Sequence, residues 1–177
     1  LLNDPQIMRA AGVSLLIAAL AASLATVLGT AAGIALARFG RFTGRTALAG
    51  LIAAPLVMPE VVTGLSLLLL FVAMQQMLGF PNRGMGTIVI AHATLGLAYV
   101  TVVVQARAAA QDRAVEEAAA DLGATPARVF WSVTLPMLRP AVVSGWFLAF
   151  VLSIDDLVVA SFVAGPQSDR KSTRLNS

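Results

Sequence analysis

Two adjacent carboxylates, Asp155 and Asp156, stand inside the apolar run VLSIDDLVVASF (residues 151–162), and a third, Glu60, follows a proline in APLVMPEVVTG. A carboxylate at the centre of a membrane-spanning helix costs about 2.5–3.5 kcal/mol, against about 0.3–0.6 kcal/mol returned by each Leu or Val. Acidic groups held there serve one of three ends. They bond neighbouring helices or an Arg of a partner chain, they line a path for a positively charged solute, or two of them share a proton as an acid–base dyad. A dyad needs carboxylates facing one another from two helices, and adjacent residues on one helix diverge by about 100°. Asp155 and Asp156 do not meet that requirement, which leaves intramembrane aspartyl proteolysis the weakest reading. With no Lys or Arg in the spans, Glu60, Asp155 and Asp156 favour a cation path over structural bonding.

Helical spacing divides the two aspartates. Asp156 shares a face with Gly145, Ala149, Ser153, Ala160 and Ala164, a stripe of small residues suited to close packing or to lining a passage. Asp155 shares one with Leu148, Val151, Leu152, Val159 and Phe162, so it is expected to need a partner from another helix or subunit, and the two are not expected to enter one narrow path. Glu60 stands with Thr63 and Gly64.

Other chemistries fall away by composition. The sequence holds no Cys and one His, His92, which excludes thiolate sites, Cys nucleophiles and His-rich metal centres. Its one Lys, Lys171, lies near the end, so no phosphate-cradling GxxxxGK[ST] exists. No catalytic residue and no metal ligand is assigned, and no cofactor is expected in this chain. His92 reads first as a hydrogen-bonded packing residue, while Tyr99 and Gln105 read as interface anchors or passage lining. Trp131 and Trp146 fit an aromatic belt at the cytoplasmic boundary, and Gly29 and Gly33 fit helix packing.

The elements that position these residues are helices in a bilayer. At 58% hydrophobic and 12% charged, with mean hydropathy +0.85, the 177-residue chain is far more apolar than a soluble domain. Four apolar segments, at about 12–37, 47–79, 86–105 and 141–164, each reach the roughly 20 residues that a spanning helix requires. The expected fold is all-α and multi-pass. The second segment would run roughly 50 Å as one helix against a hydrocarbon core of about 30 Å, so Pro55 and Pro59 are expected to break it. Arg38, Arg41 and Arg45 cluster after the first segment, and Arg107, Arg113, Arg128 and Arg139 follow the third. The positive-inside rule makes those two loops cytoplasmic and the turn GFPNRGMG external. Residues 167–177 lose hydrophobicity abruptly and carry Arg170, Lys171 and Arg174 against Asp169. They are expected to be a non-native tail, and with Leu1 at the first position the permease-like part, residues 1–166, is expected to be truncated at both ends. Without that tail the chain is close to neutral, and nothing in it calls for nucleic acid.

The cytoplasmic loop, about 108–139, carries the most specific pattern. In DRAVEEAAADLGATPARVFWSVTLPMLRP, Asp112 can cap a helix over 113–122 with Glu116 and Glu117 in its early turns. Gly123 can end it, and Thr125-Pro126 can cap and begin a second short helix. The product is a projecting, Ala-rich knob suited to another protein's groove. The stretch EAAADLGATPARVFWSVTLP resembles the EAA loop of ABC-importer permeases, with Glu117, Ala118, Ala119, Gly123, Val133, Leu135 and Pro136 at the matching positions. Val133 stands where that family often has Ile. The resemblance implies a type I ABC-importer permease fold, a coupling helix seated in a separate ATP-binding subunit, and ATP held by that partner.

APLVMPEVVTGLSLLLLFVA and GWFLAFVLSIDDLVVASFVAGP further resemble polyamine importer permeases, closer to the putrescine branch than to the spermidine branch, with Glu60 where Asp is common. That likeness implies transport of a diamine or polyamine without covalent chemistry in this chain. It also implies a second permease subunit forming a heterodimer, an extracytoplasmic substrate-binding protein, and residence in a bacterial cytoplasmic (inner) membrane. The same machine with another cargo, an amino acid or metal complex, is the alternative; an oxyanion would be repelled by three carboxylates.

Overall fold

The computed structural model describes residues 5–58, 60–80 and 84–164, with the backbone alone described at 5–7, 10, 60 and 157–164. The proposed tail at 167–177, like Pro59 and the external loop residues 81–83, lies outside them. Among the described residues the regular structure is entirely helical, in the order α1 (Pro5–Arg38), α2 (Arg45–Val57), α3 (Glu60–Leu78), α4 (Met85–Ala110), α5 (Ala114–Asp121), α6 (Pro126–Val129), a π-helical turn (Phe130–Thr134) and α7 (Leu135–Ala164). Four helical stretches are long and apolar enough to cross a membrane, Ala11–Arg38, Val61–Leu78, Met85–Ala110 and Pro126–Asp156. This is a multi-pass membrane protein.

The core is the three-helix packing of α1, α4 and α7, and small residues set its distances. A Cβ on Gly29 would sit 2.8 Å from Val100 Cβ, and one on Gly33 would sit 2.9 Å from the Thr101 carbonyl oxygen. At Gly96 an added Cβ would meet Ala25 on α1 and Ala149 on α7, both at 3.1 Å. In lipid there is no hydrophobic drive between helices, so close approach of this kind supplies the dispersion that holds them. Ala18, Ala21, Ala22, Ala25, Val100, Val104 and Leu138 are buried along these seams. The expectation of packing roles for Gly29 and Gly33 is met.

The long second segment breaks just before Pro59, whereas Pro55, also expected to break it, lies inside α2 without ending it. Met58 adopts φ −83°, ψ 143°, the extended conformation imposed on a residue that precedes proline, and α2 ends at Val57. With 13 residues, about 20 Å of helix, α2 is too short to cross alone. It packs through Ile52 against Leu36 and Ala98, filling the corner between α1 and α4. The crossing is made by α3, which touches the rest of the molecule thinly, chiefly at α4.

Arg38 Nη2 and Glu116 Oε1 lie 3.1 Å apart, and Arg113 Nη2 donates to the Arg38 carbonyl at 3.0 Å. The two Arg-bearing loops therefore meet at one end of the bundle, as one cytoplasmic face requires. Helix α7 begins at Leu135, six residues before the expected 141, because α6, the π-helical turn and α7 run on continuously. The expected second short helix is thus the leading end of the last span. Pro136 has no N–H to donate and its ring crowds the carbonyl of Ser132, while the Leu135 amide bonds back to Phe130; the wider turn absorbs both constraints.

Candidate functional site

The knob is built from local rules. The Asp112 Oδ1 accepts the Ala114 amide at 3.0 Å and so turns the chain into α5, but the capping position falls one residue later than expected, on Arg113, which makes no side-chain cap bond. Gly123 has φ +86°, and the amides of Gly123 and Ala124 bond to the carbonyls of Ala120 and Ala119 at 2.8 and 3.2 Å. That paired closure needs a left-handed residue, which glycine adopts without strain. Thr125 then caps α6, its Oγ1 accepting the Arg128 amide at 3.4 Å, with Pro126 in the first turn. Glu117, Ala118 and Gly123 are exposed on the projecting side, Leu122 is 90% exposed and Ala119 is half-buried. Leu135 and Pro136, both half-buried, form the root of α7 and aim the knob, so they do not belong to its tip.

At the other end, α3, α4 and α7 enclose an open cleft of about 850 Å³, inside the range of about 300–1,000 Å³ usual for ligand sites. Asp155 and Asp156 both line it, together with Ser153, His92, Tyr99 and Thr87 on otherwise apolar walls. The two aspartates, about 100° apart on their helix, share one wide cleft and not a narrow path, with Asp155 at its wall. Both are exposed to it, Asp156 with half of its side-chain surface. Among the described residues no Arg pairs with either; the one charged-group neighbour of Asp156 is His92, Nδ1 to Oδ2 3.9 Å. Glu60 opens α3, one residue before Val61 and one turn before Gly64, which both line the cleft; its side chain lies outside the described residues.

His92 is a cleft residue as well as a bonded one, since its Nδ1 lies 3.2 Å from Ser153 Oγ. A Ser–His–Asp relay would need Ser and Asp on opposite ring nitrogens, whereas here both approach Nδ1. The trio orients side chains; it does not generate a nucleophile. No facing carboxylate dyad occurs among the described residues. Gln105 is not among the cleft residues: it lines a separate recess of about 170 Å³ between α1, α2 and α4, with Arg45 and Ile52. Trp146 also has an interhelical role, its Nε1 donating to Ser23 on α1 at 3.1 Å and its ring stacking on Phe150 at 5.1 Å. Trp131, in the π-helical turn, is 67% exposed.

Sequence reasoning missed one residue of consequence. Glu116, beside the Glu of the EAA tripeptide, turns inward to Arg38 and accepts a hydrogen bond from Thr134 Oγ1 at 2.9 Å. The available signal was the pair Glu116-Glu117, whose members must face about 100° apart, so that one of the two is turned away from any docking surface.

The family model described as "binding-protein-dependent transport system inner membrane component" matches residues 25–173. The putrescine transport system permease protein PotI of Escherichia coli K12 is 59% identical over 167 residues, covering 94% of this chain and 59% of that protein. The spermidine/putrescine transport system permease protein PotC of Haemophilus influenzae is 42% identical over 165 residues, covering 93% of this chain and 62% of that one. The chain thus spans less than two thirds of the length of these curated relatives. A crystal structure of an amino acid ABC transporter with histidines shares the fold, at TM-score 0.57 and 20% identity over 96% of this chain and 80% of that one. Fold, spans and sequence agree, and the chain belongs to the family of binding-protein-dependent transport system inner membrane components.

Proposed function

We propose that this chain is the membrane-spanning permease part of an ATP-driven importer for putrescine or a related polyamine, working in a bacterial cytoplasmic membrane. The observation that carries the reading is the cleft itself: two carboxylates on largely apolar walls, with no described Arg neutralising either. An ammonium group entering such a site loses water and regains charge-assisted bonds of about 2.7–2.9 Å to carboxylate oxygens. The apolar wall between suits the methylene chain of a diamine. Support also comes from the relatives, among which the most similar named above is a putrescine transport system permease protein.

In this reading the chain performs no covalent chemistry. A separate ATP-binding subunit holds ATP and receives the knob through Glu117, Ala118, Ala119 and Gly123, with Leu135 and Pro136 setting its angle. A second permease subunit completes the passage, and an extracytoplasmic binding protein delivers the cargo. Closure of the ATPase pair displaces the knobs and shifts the permease pair between inward- and outward-open states. Glu60, Asp155 and Asp156 supply the negative potential of the path.

The test is Asp156→Asn in the complete transporter, which keeps shape and removes charge. Uptake of labelled putrescine is expected to fall about ten-fold, equivalent to about 1.4 kcal/mol, while the ATPase still co-purifies. Unchanged uptake contradicts the cation path.

A further inference from the structure

Four elements meet around one ion pair. Glu116 Oε1, on α5, lies 3.1 Å from Arg38 Nη2 at the end of α1 and accepts the Thr134 hydroxyl of the π-helical turn at 2.9 Å. The same Arg38 Nη2 donates to Gln111 Oε1 at the end of α4, 3.3 Å away, and Arg113 holds the Arg38 carbonyl. Arg38 and Glu116 side chains are 10% and 23% exposed, and Thr134 and Gln111 are buried. Helix α5 has no buried residue of its own and packs mainly on α6 and the π-helical turn, so this ion pair is its main tie to α1.

Such a cluster is a poor device for stability alone. Withdrawing two charges from water costs several kcal/mol per ion, and a partly satisfied buried network is worse than an apolar one. This network is partly satisfied: Arg38 Nε and Gln111 Nε2 are buried without a hydrogen-bond partner. The two spare donors give the cluster an alternative set of partners at small cost if α5 shifts, which is the property of an element with two arrangements. Glu117, one position on, faces outward and is free for docking.

We propose that Arg38, Gln111, Glu116 and Thr134 form an internal latch that passes displacement of the knob to α1 and α7, with Glu116 as the positioning residue at its centre. Docking and transmission are thereby divided between neighbouring glutamates, Glu117 outward and Glu116 inward. This rests on the knob's proposed seat in an ATPase. Without the latch the knob can still dock and the ATPase can still turn over, but its motion is no longer delivered to the span that bears Asp155 and Asp156.

The experiment uses the complete transporter in proteoliposomes, comparing wild type, Glu116→Gln, and the exchange Arg38→Glu with Glu116→Arg. Two readouts are taken: putrescine moved per ATP hydrolysed, and the ATP-induced change in distance between spin labels on Gly40→Cys and Ala114→Cys, placed in a sequence with no native cysteine. For Glu116→Gln the expected result is ATP hydrolysis and co-purification within about two-fold of wild type, cargo per ATP down about ten-fold, and labels that part on ATP where wild-type labels move together. The exchange is expected to recover much of the ratio. An unchanged ratio with an unchanged label distance overturns the latch. So does a parallel fall of assembly, hydrolysis and uptake without recovery in the exchange, which marks a structural role only. The label readout needs no cargo: a wild-type assembly that moves no putrescine yet shows joined labels parting in Glu116→Gln sinks the cargo assignment and supports the latch.

Discussion

Between Asp112 and Thr134 nearly every turn of the chain is fixed by a specific polar contact, from the Asp112 turn and the Thr125 cap to the closure at Gly123 and the Glu116 ion pair. The walls of the cleft are held differently. On one side α4 and α7 press together through Gly96, Ala149 and Gly145; on the other α3 stands almost alone, with Val61, Leu65 and Leu69 more than half exposed. Among the described residues the side-chain polar contacts between the cleft's helices are those of His92 with Ser153 and Asp156. The difference matches two mechanical tasks. A part that transmits force must move as one tied piece, while a part that admits and releases a solute needs a wall that can move without breaking a core.

The comparison can be broken first at the knob. Replacing Glu117 by Ala together with Gly123 by Val removes the outward charge and forces a β-branched residue into φ +86°, a strain of about 1–3 kcal/mol. Co-purification of the ATPase and ATP-driven uptake are both expected to be lost, the largest effect of the series; retention of both would show that the knob is not the docking element.

Next come two glycines that should behave oppositely. Gly33→Leu drives a side chain into the α4 backbone, where even a Cβ meets the Thr101 oxygen at 2.9 Å and the Gln105 nitrogen at 3.0 Å, so a destabilisation of about 1–3 kcal/mol is expected in thermal melts of the detergent-solubilised assembly. Gly64→Leu meets nothing within 4 Å and fills the cleft instead. Melting should stay put while putrescine uptake falls several-fold. Equal melting shifts for the two would erase the distinction between a packed core and a yielding wall.

The smallest effect is assigned to Thr125→Ala, which deletes one cap at the start of α6 and should cost about 1 kcal/mol locally, read as faster amide exchange at Arg128. Because α6 continues into α7, uptake should change less than two-fold; a large loss would mean that the cap, and not the latch, carries the load.

Much of the knob was legible because its turns, cap and glycine closure are decided by residues two to five apart. Asp112, Gly123 and the Thr125-Pro126 pair all act as their types dictate, and the EAA spacing marked the loop as a unit. The Arg38–Glu116 pairing was not legible, since it joins positions far apart in sequence and depends on how α1 and α4 end together. The aspartates announced themselves through their cost in a bilayer, but periodicity alone could not say that one wide cleft receives both. Likewise the face of α4 that carries His92 and Tyr99 into the cleft, and turns Gln105 away from it, follows from the Gly96 contact with α7, a tertiary fact. The early start of α7 was not legible because the apolar run begins only near 141, whereas a π-helical turn carries the helix back through Pro136.

The most direct measurement is an experimental structure of the complete importer with putrescine captured in the membrane. An ammonium nitrogen is expected within about 3 Å of a carboxylate oxygen of Asp155 or Asp156, with the methylenes against the α3 wall. Both aspartates paired to arginines of the second permease subunit, with the diamine elsewhere, would contradict it.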